Sequence, residues 1–242
     1  MRRRGIRILG VVWLAVLAVA GAASGQNDAD LRQAFANFLS TKDVRIDTVP
    51  DLYPGGYARI SVYARKANLG GMVVDEIWFR LVGVSLDPAV LQQGALRFND
   101  TRDTAMYART SIKSLEDYFR AGNPIKDIRL WSDGEYLYGE GTVPVAGTLT
   151  KIWLKGFFVV GGTKEVYFYI DNLRLNGLPV FDPIIRKLEA DINPVLTQAT
   201  WPVTFKIRAL KITKDWFVIS SQQDPSAPCA FCTGGDSPNV AP

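Results

Sequence analysis

Between residues 179 and 220 the apolar period of the chain switches from helical to extended, and this switch constrains the fold more than any other feature. At about 100° per residue, Phe181, Ile184, Ile185, Leu188, Ile192, Val195 and Leu196 share a stripe roughly 120° wide. Arg186, Lys187, Ala190 and Asp191 lie outside it. Pro194 removes a backbone donor and disfavours helical geometry at Asn193, so the helix is predicted to kink or end there. Beyond Trp201-Pro202 the period becomes two, through Val203, Phe205 and Ile207, then Leu210 and Ile212, then Trp216 and Val218. An aliphatic helix that returns at once along a sheet needs an apolar surface to lie on. That surface is either an ordinary core or a groove that also admits lipid.

The rest of the chain repeats the theme. Residues 27–40 read as a helix capped by Asn27 or Asp28, with Leu31, Ala34, Phe35, Phe38 and Leu39 on one face. Strands are expected from Val44, over Ala58 to Arg65 and over Val73 to Val84; Trp78 and Val82 make the second face of the last one partly apolar. Asp87-Pro88 signals a short helix ended by Gly94. Residues 95–110 read as a further strand, and a helix is expected over 115–121, with Ser114 and Asp117 approximating a capping box. From 125 to 176 the pattern is an antiparallel meander with turns at Ser132-Asp133-Gly134, Gly161-Gly162 and Asn176-Gly177.

The N-terminus reads as an export signal. Arg2, Arg3, Arg4 and Arg7 precede an apolar run from Ile8 to Ala20 and a small-residue site at Ala23-Ser24-Gly25. The expected organisation is therefore a signal peptide over 1–25, one domain over 26–221, and a structureless tail over 222–242. The leader holds four of the 28 basic residues and none of the 24 acidic ones, so the remainder is formally neutral. Nothing supplies the concentrated basic face that a nucleic-acid partner requires.

The chain has no histidine, which removes His-dependent triads and His-ligated metals. Asp75-Glu76, adjacent on a strand, point to opposite faces and make a poor catalytic pair; Glu116-Asp117, Asp133/Glu135 and Glu140 supply no better context. No catalytic residue, metal or cofactor is assigned. Cys229 and Cys232 form a C-x-x-C in a Pro/Gly/Ser-rich setting, which reads as a local disulfide in an exported chain.

Four segments resemble the LmeA-type phospholipid-binding proteins of the bacterial cell envelope. They are Val73 to Leu81 after Gly70-Gly71, Ser111 to Phe119, the meander ending in Val166 to Leu175 with Asn176-Gly177-Leu178-Pro179, and Ile192 to Leu196 leading through Pro202 to Val203–Ile212. The resemblance spans about residues 30–220. The aromatic-rich strands (Trp131, Trp153, Tyr167, Tyr169) and the cysteine-bearing tail depart from it. It implies an α+β fold of the tubular lipid-binding kind, a long curved antiparallel sheet wrapped on amphipathic helices at the two ends of the chain. It also implies non-catalytic phospholipid binding in the periplasm or cell envelope.

On this reading, Phe35, Phe38, Leu39, Ile184, Ile185, Leu188 and Ile192 are groove candidates, with Ile60, Val62, Ile77 and Phe79 as sheet-side walls. The expected partner is a phospholipid or another acyl-chain lipid. Trp131, Tyr136, Tyr138 and Trp153 form either cross-strand pairs or a belt for peripheral membrane contact. Arg59 and Arg65 read first as a solvated face. The alternative reading is an exported β-rich interaction module without a lipid ligand.

Overall fold

The computed structural model describes residues 27–53, 55–69, 71–122, 126–145 and 148–232. The expected leader and the last ten residues lie outside the described residues. The chain forms a helix over 27–39 (α1). There follow β1 (Val44–Pro50), β2 (Gly56–Leu69), β3 (Met72–Leu86), α2 (Pro88–Gln92), β4 (Phe98–Ser111) and α3 (Ile112–Gly122). The meander is β5 (Lys126–Ser132), β6 (Leu137–Val145), β7 (Thr148–Gly161) and β8 (Glu165–Leu175). The chain ends through β9 (Leu178–Pro179), α4 (Asp182–Ile192), β10 (Leu196–Thr197), β11 (Ala209–Ile212) and β12 (Trp216–Ser220).

The fold is mostly antiparallel sheet with a few helices, α+β in character, and among the described residues no barrel closes. The expected single sheet is two. The first sheet runs β1-β2-β3-β4-β12-β11 and the second β10-β8-β7-β6-β5, with β9 also on β8. The C-terminal segment joins them, since β12 pairs with β4 while β10 pairs with β8.

Period-two alternation places Ile60, Val62 and Ala64 of β2, Ile77, Phe79 and Leu81 of β3, and Met106 and Ala108 of β4 on one face. Leu31, Ala34, Phe35 and Leu39 of α1 join the same buried core. Full burial of each such side chain contributes about 1.5–3 kcal/mol. Phe205 stacks on Phe79 at 4.4 Å, and Phe158 of β7 meets Phe217 of β12 at 4.2 Å, so the core continues into the second sheet.

The other face of the first sheet is covered in part. Tyr63, Trp78, Tyr107 and Val218 form a second apolar cluster closed by Phe231 and Cys232, with Cys229–Cys232 joined as a disulfide. Residues 222–232, expected to be structureless, are thus packed down. Arg80 lies over the Phe231 ring at 5.4 Å, and Gln222 accepts from the Ala230 amide at 2.6 Å. The sequence signal was Trp78, too large and apolar for a solvated face.

Three local expectations need correction. α3 starts at Ile112, three residues early, because the Ser111 hydroxyl accepts from the Ser114 amide at 3.1 Å. Asp117 is engaged by Lys113 and Arg120 rather than in a capping box. Residues 203–207 keep their alternation, with Val203, Phe205 and Ile207 buried, yet they form no strand. Their backbone is held instead by the Gln198 amide, which accepts from Phe205 N at 2.7 Å and donates to Phe205 O at 3.0 Å, and by Ile207 N donating to Thr163 O. α4 does end at Ile192, before Asn193-Pro194.

Candidate functional site

The inner face of the second sheet is built from every second residue of four strands. Ile128 and Leu130 of β5, Leu137 of β6, Ile152 and Leu154 of β7, and Phe168, Ile170 and Leu173 of β8 form an apolar floor. Phe119 of α3 closes one side, and Leu188 and Ile192 of α4 the other. The enclosed space is about 100 Å³. No ionisable side chain lines it.

α4 is attached to this floor rather than sunk into it. None of its residues is buried; Phe181, just before it, is 79 % exposed, Ile184 50 % and Leu188 37 %. Its C-terminal end is fixed by two side chains on the β8 backbone. Glu189 accepts from Ile170 N at 2.7 Å, while Asn193 accepts from Phe168 N at 2.7 Å and donates to Phe168 O at 2.8 Å. At the start of the helix, Val180 N donates to Leu173 O and the two-residue β9 pairs with β8. The apolar stripe of α4 is thus half in solvent, and its side-chain hydrogen bonds to β8 lie at its C-terminal end.

α3 is set more firmly. Asp75, at 11 % side-chain exposure, pairs with Lys66 and accepts from Ser111 N and from the Ser114 hydroxyl at 3.0 Å. Burial pushes its pKa up, but these hydrogen bonds outweigh it and hold the carboxyl below its ordinary value. Glu116 ties α3 to β5 by accepting from Leu130 N at 3.0 Å; burial raises its pKa, and Lys113, the Leu130 amide and Arg120 bring it below normal. Glu76 faces the opposite side of β3, pairing with Arg109 and accepting from the Tyr63 hydroxyl at 3.0 Å. Burial and that bond push the Tyr63 pKa to about 12. The Asp75-Glu76 pair is therefore split across two faces, and both carboxylates are occupied structurally.

The groove candidates from the sequence separate into three sets. Phe35, Leu39, Ile60, Val62, Ile77 and Phe79 are at most 1 % exposed and belong to the main core. Phe38 is half-buried beside them, against Trp201 at 5.7 Å and Phe79 at 6.5 Å. Leu188 and Ile192 line the groove; Ile184 and Ile185, one exposed and one half-buried, do not. The two end helices thus sit differently: α1 packs into the main core, and Leu188 and Ile192 of α4 border the second sheet. Sequence reading missed the floor, whose signal was the alternation of Ile128/Leu130, Ile152/Leu154 and Phe168/Ile170 in the meander.

On the outer face of the same sheet, the register aligns Arg129, Glu140, Trp153 and Arg174 across four strands, with Trp131, Tyr138 and Lys155 in the next row. A trough of about 550 Å³ lies over Asp127, Arg129, Glu140, Thr142, Lys151, Trp153 and Arg174. Arg59 pairs with Asp47, as a solvated face predicts. Among the described residues, no three potential metal-ligating side chains gather, and no helix is long and apolar enough to cross a membrane. Compared with protein-family models, curated proteins and solved structures, the chain matches none.

Proposed function

We propose that the protein is an exported, non-enzymatic phospholipid-binding protein of the cell envelope that holds an acyl chain between α3, α4 and the inner face of the second sheet. The observation that carries this reading is an apolar groove roofed by a helix with no buried residue of its own. Each methylene moved from water into such a site contributes about 0.8 kcal/mol, so affinity needs no reactive or charged group. The enclosed 100 Å³ is smaller than the ~150 Å³ dry cavity that admits benzene. It takes the first few carbons, and a full chain requires α4 to lift about its anchored C-terminal end. The likeness to LmeA-type proteins in the segments around Val73, Ser111, Val166 and Ile192 supports the same reading, and with it a fold of the tubular lipid-binding kind. Whether the protein also transfers its lipid depends on how readily α4 opens.

Replacing Leu188 by Asp tests the reading, because a carboxylate in an apolar wall opposes occupancy. Uptake of a fluorescent phospholipid from vesicles is expected to fall more than about tenfold, with the thermal transition unchanged. Undiminished uptake by a folded Leu188→Asp variant removes this groove as the lipid site. No uptake by the unaltered protein favours the interaction-module reading.

A further inference from the structure

We propose that the outer face of the second sheet docks on an anionic membrane surface, with its aromatic rows at headgroup level and Lys151 and Arg174 on lipid phosphates. This goes beyond the groove and does not depend on its taking a lipid.

The face carries large apolar surface that none of the described residues covers. Trp131, Phe157 and Tyr169 are each 37–40 % exposed, and Leu149 60 %. Sheets that turn one face to water ordinarily make that face polar. Here the outward positions of β7 alternate lysines with Leu149, Trp153, Phe157 and Val159.

The orientation of the rings decides between the partners that aromatic faces take. Sugars and nucleobases stack on open ring faces. Here Trp131 and Tyr138 stack on each other, 8° from parallel with centroids 5.7 Å apart. Arg174 lies over Trp153 at 5.5 Å, and Lys155 over Tyr136 at 3.5 Å. Each of these rings thus has one face already engaged within the molecule, which makes it a poorer platform for stacking a sugar or base. Amphipathic Trp and Tyr rings beside long cationic stems suit the bilayer interface, where the ring body sits among apolar chains and the polar tip among headgroups.

Charge supports an anionic surface. At the trough end, Lys126, Arg129, Lys151 and Arg174 face Asp127 and Glu140. Glu140 lies 3.8 Å from Arg129, and among the described residues Lys151 and Arg174 have no carboxylate partner. Elsewhere on the face, Lys155 is neutralised by Asp171 at 3.2 Å. The unpaired cations therefore sit together beside Trp153.

Cosedimentation of the protein with phosphatidylcholine vesicles, with and without phosphatidylglycerol, tests the proposal. Binding is expected to favour the anionic vesicles and to weaken in high salt. Lys151→Gln and Arg174→Gln are each expected to lower it about fivefold, with Lys151→Arg restoring it. Trp131→Ala is expected to weaken binding to both vesicle types. Equal binding to neutral and anionic vesicles, or full binding by the folded double Gln variant, overturns the proposal. Loss of binding with Phe181→Asp instead places the contact on α4 and overturns it as well. Retention on a polysaccharide matrix that depends on Trp131, without vesicle binding, makes the face a sugar platform. Failure of vesicle docking with normal uptake of monomeric fluorescent phospholipid would leave the groove reading standing.

Discussion

The two sheets are built from the same alternation of residues and differ in what covers them. The first is sandwiched: α1 and the 203–207 segment on one side, the disulfide-closed tail on the other, with Ile60, Ile77, Phe35 and Trp78 all sealed. The second has one face roofed by a loosely seated helix and the other open to solvent. The difference teaches that apolar periodicity reports which residues want cover, not how completely they receive it. The sheet whose apolar residues are all covered holds the fold; the one with apolar residues left open has surface to offer to a ligand.

The comparison breaks most severely in the sandwiched half. Phe79→Ala removes the ring stacked on Phe205 and contacted by Phe35 and Phe38. The expected loss is about 3–5 kcal/mol of stability, read as a large drop in the denaturant midpoint. A loss below about 1 kcal/mol would mean that this core is not close-packed.

In the second sheet the largest stability effect is expected at Gly156, not in the groove. A Cβ there would meet Phe168 Cζ at 2.4 Å and the Tyr169 carbonyl oxygen at 2.5 Å, where β8 bulges against β7. Gly156→Ala should cost about 1–3 kcal/mol and disturb the floor beneath α4. An unchanged melting temperature would refute the close approach.

Asp75→Asn is expected to cost about 2 kcal/mol, discounted for the exposed Lys66 partner. Because its folded pKa lies below the ordinary aspartate value, its contribution is full above that value and disappears as pH falls through the folded pKa. Acid titration of stability should therefore be shallower in the variant. Identical pH profiles would show that Asp75 does not hold α3.

Opening the cap on the first sheet should matter less. Cys229→Ser with Cys232→Ser releases a short loop, at most about 2 kcal/mol on chain-entropy grounds. Hydrogen exchange should quicken around Trp78 and Tyr107 but leave the groove side unaffected. Exchange spreading to β5–β8 would mean that the two halves are not separable. Smallest of all, substitutions on the exposed stripe of α4, such as Ile184→Ser, should shift stability by within about 0.5 kcal/mol.

Most elements were legible because their signals are local. Asp87 caps α2 by accepting from Ala89 N and Val90 N, Pro194 stops α4, and the glycine turns bound the hairpins. The division into two sheets was not legible, since it depends on the β11–β12 hairpin crossing back to pair with β4, about a hundred residues earlier, instead of extending the meander. Most of the groove was missed for a related reason: only Leu188 and Ile192 of its lining were among the candidates. The stripes of α1 and α4 look alike in sequence, yet Leu31 and Phe35 are fully buried in the main core while Phe181 and Ile184 stay 79 % and 50 % exposed. Amphipathicity gives the direction a helix faces, and the depth to which it sinks is set by tertiary partners.

The most direct test of the central claim is native mass spectrometry of the protein purified from its own host, followed by denaturation and lipid extraction. The account predicts one phospholipid per chain, released on unfolding and absent from Leu188→Asp. A bare mass, with no uptake from added vesicles, would contradict it and leave the second sheet as an interaction surface alone.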